Sequence, residues 1–215
     1  MLRTERADSQ PPPRTGGAFL PTRHGDFTAY AYPKPDGGDA HLALVHGDVH
    51  TDKPVLVRVH SECLTGDALG SLRCDCGPQL ERALQEIAAA PAGVLLYLRQ
   101  EGRGIGLAAK VEAYVLQERG ADTYDANVML GFPADNRDYR IAADMLRDLG
   151  VRKIALLTNN PAKAVALRAA GIDVTEERPL EIPPGRYNWR YLAVKRQRFG
   201  HRLHLRGHAA DAGAQ

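Results

Sequence analysis

The chain has 215 residues, of which 44% are hydrophobic and 25% are charged, and its formal net charge is +2. These values are ordinary for a globular protein, so most of the chain is expected to fold. The small net charge argues against nucleic acid as the main partner, and no apolar run approaches the twenty residues that a membrane span requires.

Residues 1–18 are polar and contain Pro11-Pro12-Pro13 and Gly16-Gly17. Such a composition predicts a disordered N-terminal arm, with the folded domain beginning at residue 19. The arm has charged residues but no apolar core of a secretory signal, so we expect a cytoplasmic protein.

Two short apolar runs, Leu42–Val45 and Val55–Val57, are rich in β-branched residues and bounded by turn residues. Val59 continues the alternation of the second run. Both runs therefore predict strands, and the first third of the chain predicts antiparallel sheet. A cysteine-containing loop leaves the last of these strands.

Apolar residues recur at helical spacing from Gln79 onward, which predicts an amphipathic helix after this loop. The run Val94–Leu98 predicts a buried strand that ends in a glycine-rich turn. A second helix is then expected, with its apolar residues on one face: Leu107, Val111, Tyr114 and Val115.

The remaining pattern predicts a helix over 139–149, a strand over 153–157, a helix over 161–170 and a strand over 172–174. Strand, helix and strand in this order form a βαβ unit. The fold class is therefore α/β, with an antiparallel, β-rich N-terminal part followed by a mixed α/β part.

All three cysteines lie within one segment, at Cys63, Cys74 and Cys76. An odd number cannot form a complete disulfide framework, and thiolates are ligands that suit zinc. Three protein ligands would leave a fourth position for water or substrate, as in catalytic zinc sites. His60 is the alternative fourth ligand, and it would close the site and make it structural.

Gly102, Gly104 and Gly106 follow a predicted strand and open a predicted helix, where backbone amides can hold an anion. Their spacing matches neither the dinucleotide fingerprint nor a Walker A loop, so a plain turn explains them equally well. Lys163 lies in the first turn of a helix and opposes its dipole. Either an anion docks there, or the lysine is exposed to water; the local pattern favours exposure.

Two further patterns have alternative interpretations. His60-Ser61-Glu62 is similar to the His-x-Glu of zinc nucleobase deaminases, although the Cys-x-Cys spacing here differs from theirs. Residues 182–210 contain seven arginines or lysines and no acids. That segment is either a phosphate or nucleic-acid surface or, as the pattern favours, a solvated basic tail.

Together these segments resemble the GTP cyclohydrolase II family over roughly residues 20–201. The stretches that carry the resemblance are Arg58–Asp67, Leu72–Gly77, Arg99–Leu107, Leu157–Pro161, Tyr191–Lys195 and Gly200–His201. Several independent motifs in the same order are stronger than any one of them. The resemblance implies a single catalytic domain over 19–201, with 202–215 as a flexible tail.

The resemblance also implies roles for individual residues. Cys63, Cys74 and Cys76 match the zinc ligands, with water in the fourth position. The positions that match catalytic residues are Tyr114, for ring opening, Asp135, as proton acceptor, and Arg137, as nucleophile. The positions that match GTP-binding residues are Arg58, Val59, His60, Ser61, Glu62, Gln79, Glu101, Gly102, Arg103, Thr123, Thr158 and Lys163.

The implied reaction hydrolyses GTP to formate, pyrophosphate and 2,5-diamino-6-ribosylamino-4(3H)-pyrimidinone 5′-phosphate, the first step of riboflavin biosynthesis. Zn²⁺ would lower the pKa of its water toward ~7, to attack C8 of guanine. Mg²⁺ would accompany the triphosphate, and the family suggests a homodimer. Arginine is a poor nucleophile because it stays protonated, so we expect Arg137 to clamp phosphate instead.

Three alternatives differ in their products or partners. A family member that stops at the formylamino stage would lack a tyrosine at position 114, which this chain has. A zinc nucleobase deaminase would release ammonia. A non-enzymatic zinc module would hold a closed four-ligand zinc and bind nucleic acid through the basic segment.

Overall fold

The structure, a computed structural model, describes residues 13–34 and 36–205. Its strands in this part of the chain are β1 (Ala18–Thr22), β2 (Gly25–Tyr32), β3 (His41–Gly47), β4 (Val55–Ser61), β5 (Ala92–Leu98), β6 (Lys153–Leu157) and β7 (Asp173–Arg178). Its helices are α1 (Leu64–Asp67), α2 (Cys76–Ala89), α3 (Glu101–Gly104), α4 (Leu107–Glu118), α5 (Thr123–Met129), α6 (Arg140–Asp148), α7 (Pro161–Ala169) and α8 (Trp189–Arg198).

The described strands form one mixed sheet in the order β1-β2-β3-β5-β4-β6-β7. Strands β1, β2, β3 and β5 are antiparallel neighbours, whereas β4 is parallel to β5 and β6. The α/β class with an antiparallel N-terminal part is thus confirmed. The expectation that all strands of the first third are antiparallel is wrong for β4, because α2 crosses over and returns the chain to β5 in the same direction.

Helices cover both faces of the sheet. Successive side chains of the central strands point to opposite faces, and apolar side chains on both faces must be buried. On one face Leu56 and Leu95 pack with Ile87 of α2. On the other face Val57 and Leu96 belong to a core shared with α6 and α7. The core therefore fixes β4 and β5 from both sides and leaves only their ends to reach solvent.

Strands β4, β5 and β6 point in the same direction, so their carboxyl ends lie at one edge of the sheet. The segments that follow them are 62–75, 99–106 and 158–160. In open α/β sheets ligands bind outside the carboxyl ends of the strands. This edge is where the predicted site residues converge.

Several helices differ from the predicted ones. Helix α2 begins at Cys76, three positions before the predicted start. The buried residues of α4 are Lys110 and Ala113, while Leu107 and Val111 are exposed, so the predicted apolar face of this helix is wrong. Helices α1, α3, α5 and α8 have no counterpart in the prediction.

The predicted arm and tail lie partly outside the described residues, which exclude 1–12 and 206–215. Within the described part, the Thr15 N–H donates to the Ala31 carbonyl at 2.9 Å, so contact with the sheet begins before residue 19. At the other end the Arg202 N–H donates to the Asn159 carbonyl at 2.8 Å. None of the described helices is both long and apolar enough to cross a bilayer.

Candidate active site

The sulfur atoms of Cys63, Cys74 and Cys76 lie within 4.8 Å of one another, and those of Cys63 and Cys74 are 3.6 Å apart. Gly66 packs against this cluster so closely that an added Cβ would lie 2.9 Å from the Cys74 sulfur. Three soft donors at this spacing fit a single zinc ion. The backbone at Gly66 therefore leaves no room for a side chain beside the sulfur atoms.

Asp67 organises the start of the segment 62–75, which carries Cys63 and Cys74 and is here called the metal loop. Its carboxylate accepts a hydrogen bond from the Cys63 N–H at 2.9 Å and one from the Tyr97 hydroxyl at 2.8 Å. The same carboxylate lies 3.1 Å from His60 Nε2. Within the described residues, the group of side chains that could hold a metal ion consists of the three cysteines.

A buried cation touches the cluster. Lys110 Nζ lies 3.1 Å from Cys63 Sγ and 2.7 Å from Glu101 Oε1. The other oxygen of Glu101 accepts from the Leu64 N–H at 2.7 Å. Glu101 thereby ties the metal loop to α4, and Lys110 supplies positive charge beside a thiolate.

The three thiols affect one another's ionisation. Hydrogen bonds from Cys74 and Cys76, with help from Lys110, lower the pKa of Cys63. Hydrogen bonding to Cys63 and burial raise the pKa of Cys74, and they raise that of Cys76 as well. The Cys63 thiol therefore ionises more readily than the other two.

A pocket, here the sulfur pocket, opens on the cysteines. Its walls include Tyr114 and Arg73, whose guanidinium lies 4.7 Å from the centre of the tyrosine ring. The Tyr114 hydroxyl lies 3.2 Å from Thr65 Oγ1. Burial raises the pKa of Tyr114, so the phenol stays protonated at neutral pH.

Arg103 of α3 lines the sulfur pocket, and its side chain is held by α5. Its backbone is left-handed, with φ of 62°, which is uncommon for a residue with a Cβ. Its guanidinium donates to the Thr123 hydroxyl at 2.8 Å and to Asn127 Oδ1 at 2.7 Å. These bonds hold a strained backbone in place, and such strain is concentrated at functional sites.

A second pocket, here the cation pocket, adjoins the sulfur pocket and shares Cys76, Arg103 and Arg137 with it. Five cationic side chains line it: Arg58, Arg103, Arg137, Lys163 and Lys195. No carboxylate is among the described residues that line it. Several cations without lining acids favour a polyanionic ligand.

Lys163 is buried, with 6% of its surface exposed, and its Nζ donates to the Val59 carbonyl at 2.7 Å. The expectation of an exposed lysine is therefore wrong, because the first turn of α7 directs this side chain toward the backbone of β4. Burial, together with Arg58 and Arg137, lowers the pKa of Lys163 well below its usual value. Burial and the nearby Lys195 likewise lower the pKa of His201 to about 3.

Buried polar atoms in the cation pocket lack partners within the described protein. They include Arg58 Nε, His60 Nδ1, Ser61 Oγ and Arg103 Nε. Buried polar groups are normally hydrogen-bonded, so unpaired ones that line a pocket are available to bind a ligand. Arg58 is otherwise fixed, since it donates to the Leu157 carbonyl at 2.9 Å and to Gln79 Oε1 at 2.5 Å.

Arg137 and Asp135 form a bidentate ion pair, and Arg137 Nε donates to Asp135 Oδ1 at 2.8 Å. Burial alone would lower the pKa of Arg137, but the bond to Asp135 and the nearby Tyr139 raise it above its usual value. Hydrogen bonding to Arg137 overcomes burial and lowers the pKa of Asp135. Both groups are thus charged at neutral pH.

The sequence that forms this site matches a known family. The sequence profile of GTP cyclohydrolase II matches residues 14–179. The chain belongs to the GTP cyclohydrolase II family. The recognition made from the sequence motifs is therefore confirmed.

Curated relatives of the family agree with this match. The GTP cyclohydrolase-2 of Tolumonas auensis is 57% identical over 187 residues, which cover 87% of this chain and 95% of that protein. The GTP cyclohydrolase-2 of Actinobacillus succinogenes is 52% identical over 188 residues and 87% of each chain. The riboflavin biosynthesis protein RibBA of Bacillus cytotoxicus is 55% identical over 86% of this chain, which spans 47% of that protein's length.

A solved structure, described as RibBX, a two domain 3,4-dihydroxy-2-butanone 4-phosphate synthase from A. baumannii, is a distant likeness. It has a TM-score of 0.43 and 24% identity, and the match covers 81% of this chain and 41% of that chain. A similarity this weak says nothing about function.

For this GTP cyclohydrolase II family member, most predicted site residues line the two pockets. They are Arg58, His60, Ser61, Glu62, Cys63, Cys74, Cys76, Gln79, Glu101, Gly102, Arg103, Tyr114, Thr123, Arg137 and Lys163. Val59 contributes its carbonyl to Lys163, and Asp135 stands behind Arg137. The Thr158 hydroxyl accepts from the Asn160 N–H at 3.0 Å and so shapes the turn into α7.

Sequence reasoning assigned no role to five further residues that line the two pockets. They are Lys110, Asn127, Tyr191, Lys195 and His201. The signal for Lys110 was its place among the apolar residues of the predicted helix face, three positions after Leu107 and four before Tyr114. The i, i+4 spacing of Tyr191 and Lys195 was the signal for α8. The interpretation of 182–210 as a solvated basic tail is wrong for α8, because its inner face closes the cation pocket.

Proposed function

We propose that this chain hydrolyses GTP to formate, pyrophosphate and 2,5-diamino-6-ribosylamino-4(3H)-pyrimidinone 5′-phosphate, the first step of riboflavin biosynthesis. The observation that carries the proposal is the joining of two pockets, one at three thiols and one lined by five cations. A nucleobase at the sulfurs and a polyphosphate among the cations would use both pockets at once. Relatives that share more than half of the sequence bear the name of this enzyme.

Zinc would be held by Cys63, Cys74 and Cys76, whose soft donors and spacing fit it. When bound, it would supply the Lewis acidity that makes water a nucleophile near neutral pH. Lys110 would offset part of the negative charge of three thiolates through its contact with Cys63. Mg²⁺ is proposed to arrive with the triphosphate.

Tyr114 is proposed to donate a hydrogen bond to the opened ring. It lines the same pocket as the three cysteines, and its hydroxyl contacts Thr65 at 3.2 Å. A phenol with a raised pKa is a hydrogen-bond donor rather than a base at neutral pH. The presence of Tyr114 favours release of formate over a reaction that stops at the formylamino product.

Arg137 is proposed to clamp phosphate while Asp135 holds it. The bidentate pair and the raised pKa of Arg137 keep the guanidinium charged, and a charged guanidinium has no electron pair for attack. It can stabilise charge that develops on a phosphate in the transition state. Arg58, Lys163 and the left-handed Arg103 would hold the remaining phosphate oxygens.

We also propose a homodimer in a reducing cytoplasm. Leu69 and Leu72, which lie in the metal loop itself, are 72% and 65% exposed, and this exposed apolar surface supports a partner surface there. Free thiols at a metal site suit a reducing compartment. Light scattering on the purified chain would give the mass that tests the dimer.

The reaction is tested by incubating the zinc-loaded chain with GTP and Mg²⁺ and quantifying formate, pyrophosphate and the diaminopyrimidine separately. All three products are expected in equal amounts, and ATP is the matched control nucleotide. The Cys74→Ser variant should release none of them. Zinc-replete protein that leaves GTP intact would disprove the proposal.

A further inference from the structure

Helix α8 lies beyond residues 14–179, which match the family profile, yet it closes the cation pocket. Tyr191 and Lys195 are one helical turn apart on its inner face, and both line the pocket. Leu192 beside them is buried. The helix therefore presents one inward face made of an aromatic ring and a cation.

Contacts at the C-terminal end of α8 hold it on both sides of the pocket. On the side of α5, Arg198 forms ion pairs with Asp122 and Asp125 at 2.8 Å and 3.0 Å. On the side of β6, the Arg202 N–H donates to the Asn159 carbonyl at 2.8 Å. The position of α8 is thus set by contacts that do not involve Lys195.

Among the residues that the structure describes, Lys195 has one acidic partner, Asp75. Its Nζ lies 2.8 Å from Asp75 Oδ1, where the two side chains are 14% and 2% exposed. Its Nζ also lies 4.3 Å from the centre of the Tyr191 ring. Asp75 shares its other oxygen with Gln79, which in turn bonds Arg58. One carboxylate therefore serves two cations of the pocket through a buried chain of hydrogen bonds.

The charges of this pocket are not balanced by the protein alone. Arg58, Lys163 and Lys195 all line it, and Asp75 is paired with Lys195 and linked to Arg58 through Gln79. Buried like charges repel strongly, and an isolated buried cation is costly. A ligand with several negative charges would remove this cost, whereas a single carboxylate would not.

We propose that Lys195 is a polyphosphate-binding residue of the cation pocket and exchanges Asp75 for phosphate when the ligand binds. That this polyphosphate is the triphosphate of GTP rests on the proposed function. The competing explanation is an ion pair that only anchors α8 to the metal loop. The two explanations predict different results when Lys195 is replaced. A phosphate-binding role predicts weaker polyphosphate binding with nucleoside binding unchanged, whereas an anchoring role predicts that both weaken equally.

The experiment measures binding of inorganic tripolyphosphate and of guanosine to the zinc-loaded chain by calorimetry. Lys195→Gln should weaken tripolyphosphate binding by roughly tenfold to a hundredfold, as expected for one charge-assisted hydrogen bond. Guanosine binding should stay within about twofold. Arg196→Gln is the matched control, because Arg196 is exposed on the same helix and lines neither pocket.

Equal weakening of tripolyphosphate and guanosine by Lys195→Gln would overturn the inference in favour of an anchor. If that variant does not fold, Asp75→Asn decides, since it keeps the cation and removes its partner. Tripolyphosphate should then bind at least as tightly as to the unaltered chain, and a loss would contradict the inference. Tripolyphosphate binding without GTP hydrolysis would defeat the proposed function alone, and hydrolysis without a Lys195 effect would defeat only this inference.

Discussion

Lys110 Nζ lies 3.1 Å from Cys63 Sγ and shares its positive charge with Glu101 at 2.7 Å. Three thiolates around a zinc ion would carry a net negative charge, and Lys110 would contact one of these thiolates, that of Cys63. Partners of metal ligands tune both metal affinity and the charge on the metal. Lys110 is thus expected to matter for the site without being a ligand.

Replacing Lys110 with methionine should weaken zinc binding by about tenfold to a hundredfold. In metal-free protein the same change should slow alkylation of Cys63 at pH 7, because the thiolate loses a stabilising cation. Competition with a chelator and mass mapping of the alkylated peptide measure the two effects. Lys153→Gln, at an exposed position of β6, is the control, and unchanged affinity in Lys110→Met would contradict the prediction.

Gly66→Ala should lower the zinc content of the purified protein. The added Cβ would lie 2.9 Å from the Cys74 sulfur and 3.3 Å from that of Cys63, so the sulfurs must separate. Gly185→Ala is the matched control, because the nearest atom to its Cβ lies at 3.9 Å. Elemental analysis gives the metal content, and full loading of Gly66→Ala would show that the loop accommodates the methyl group.

Tyr114→Phe should continue to release pyrophosphate while its release of formate falls. The phenylalanine keeps the ring beside Arg73 but loses the hydroxyl that reaches Thr65. Parallel assays of the two products measure the split. Equal loss of both would mean that the hydroxyl serves an earlier step or the fold.

Arg137 should form no covalent bond to the nucleotide during turnover. Its pair with Asp135 keeps it charged, so we expect Arg137→Lys, which keeps the charge but not the bidentate geometry, to slow pyrophosphate release markedly while leaving some activity. Intact-protein mass spectrometry under turnover tests the first point. A guanylyl adduct on Arg137 would show that it is the nucleophile instead.

Lys163→Met should stabilise the ligand-free protein by about 1–3 kcal/mol while weakening tripolyphosphate binding. The folded-state pKa of Lys163 is lowered, so the unfolded chain binds one more proton between that value and about 10.5. The stability of the unaltered chain relative to Lys163→Met should therefore rise with pH through this window, by at most about 1.4 kcal/mol per pH unit. Urea titrations at pH 7 and 9 measure this; a pH-independent difference would mean that Lys163 is not desolvated.

The sequence predicted the interior of the sheet well. Strand β6 matches the predicted range of 153–157, and α7 begins at Pro161 as predicted, because apolar runs and a proline at the first helical turn are local signals. The three cysteines likewise indicated one site. These features depend on residues close together in the chain.

What the sequence did not show depends on contacts between distant segments. The burial of Lys163 follows from the carbonyl of Val59, 104 positions away, and no local pattern encodes it. The inward face of α8 was hidden because its exposed side carries most of the basic residues. The parallel direction of β4 required knowing which strand it neighbours.

The distances along the chain between partners also bear on the order in which the site forms. Cys63 and Cys74 are 11 positions apart, whereas Arg58 and Leu157 are separated by 99 and Lys195 and Asp75 by 120. Short loops close at a lower entropic cost than long ones. We therefore expect a nascent chain to capture its metal before the cation pocket exists, and pulsed hydrogen exchange during refolding would show protection of the metal loop ahead of α8.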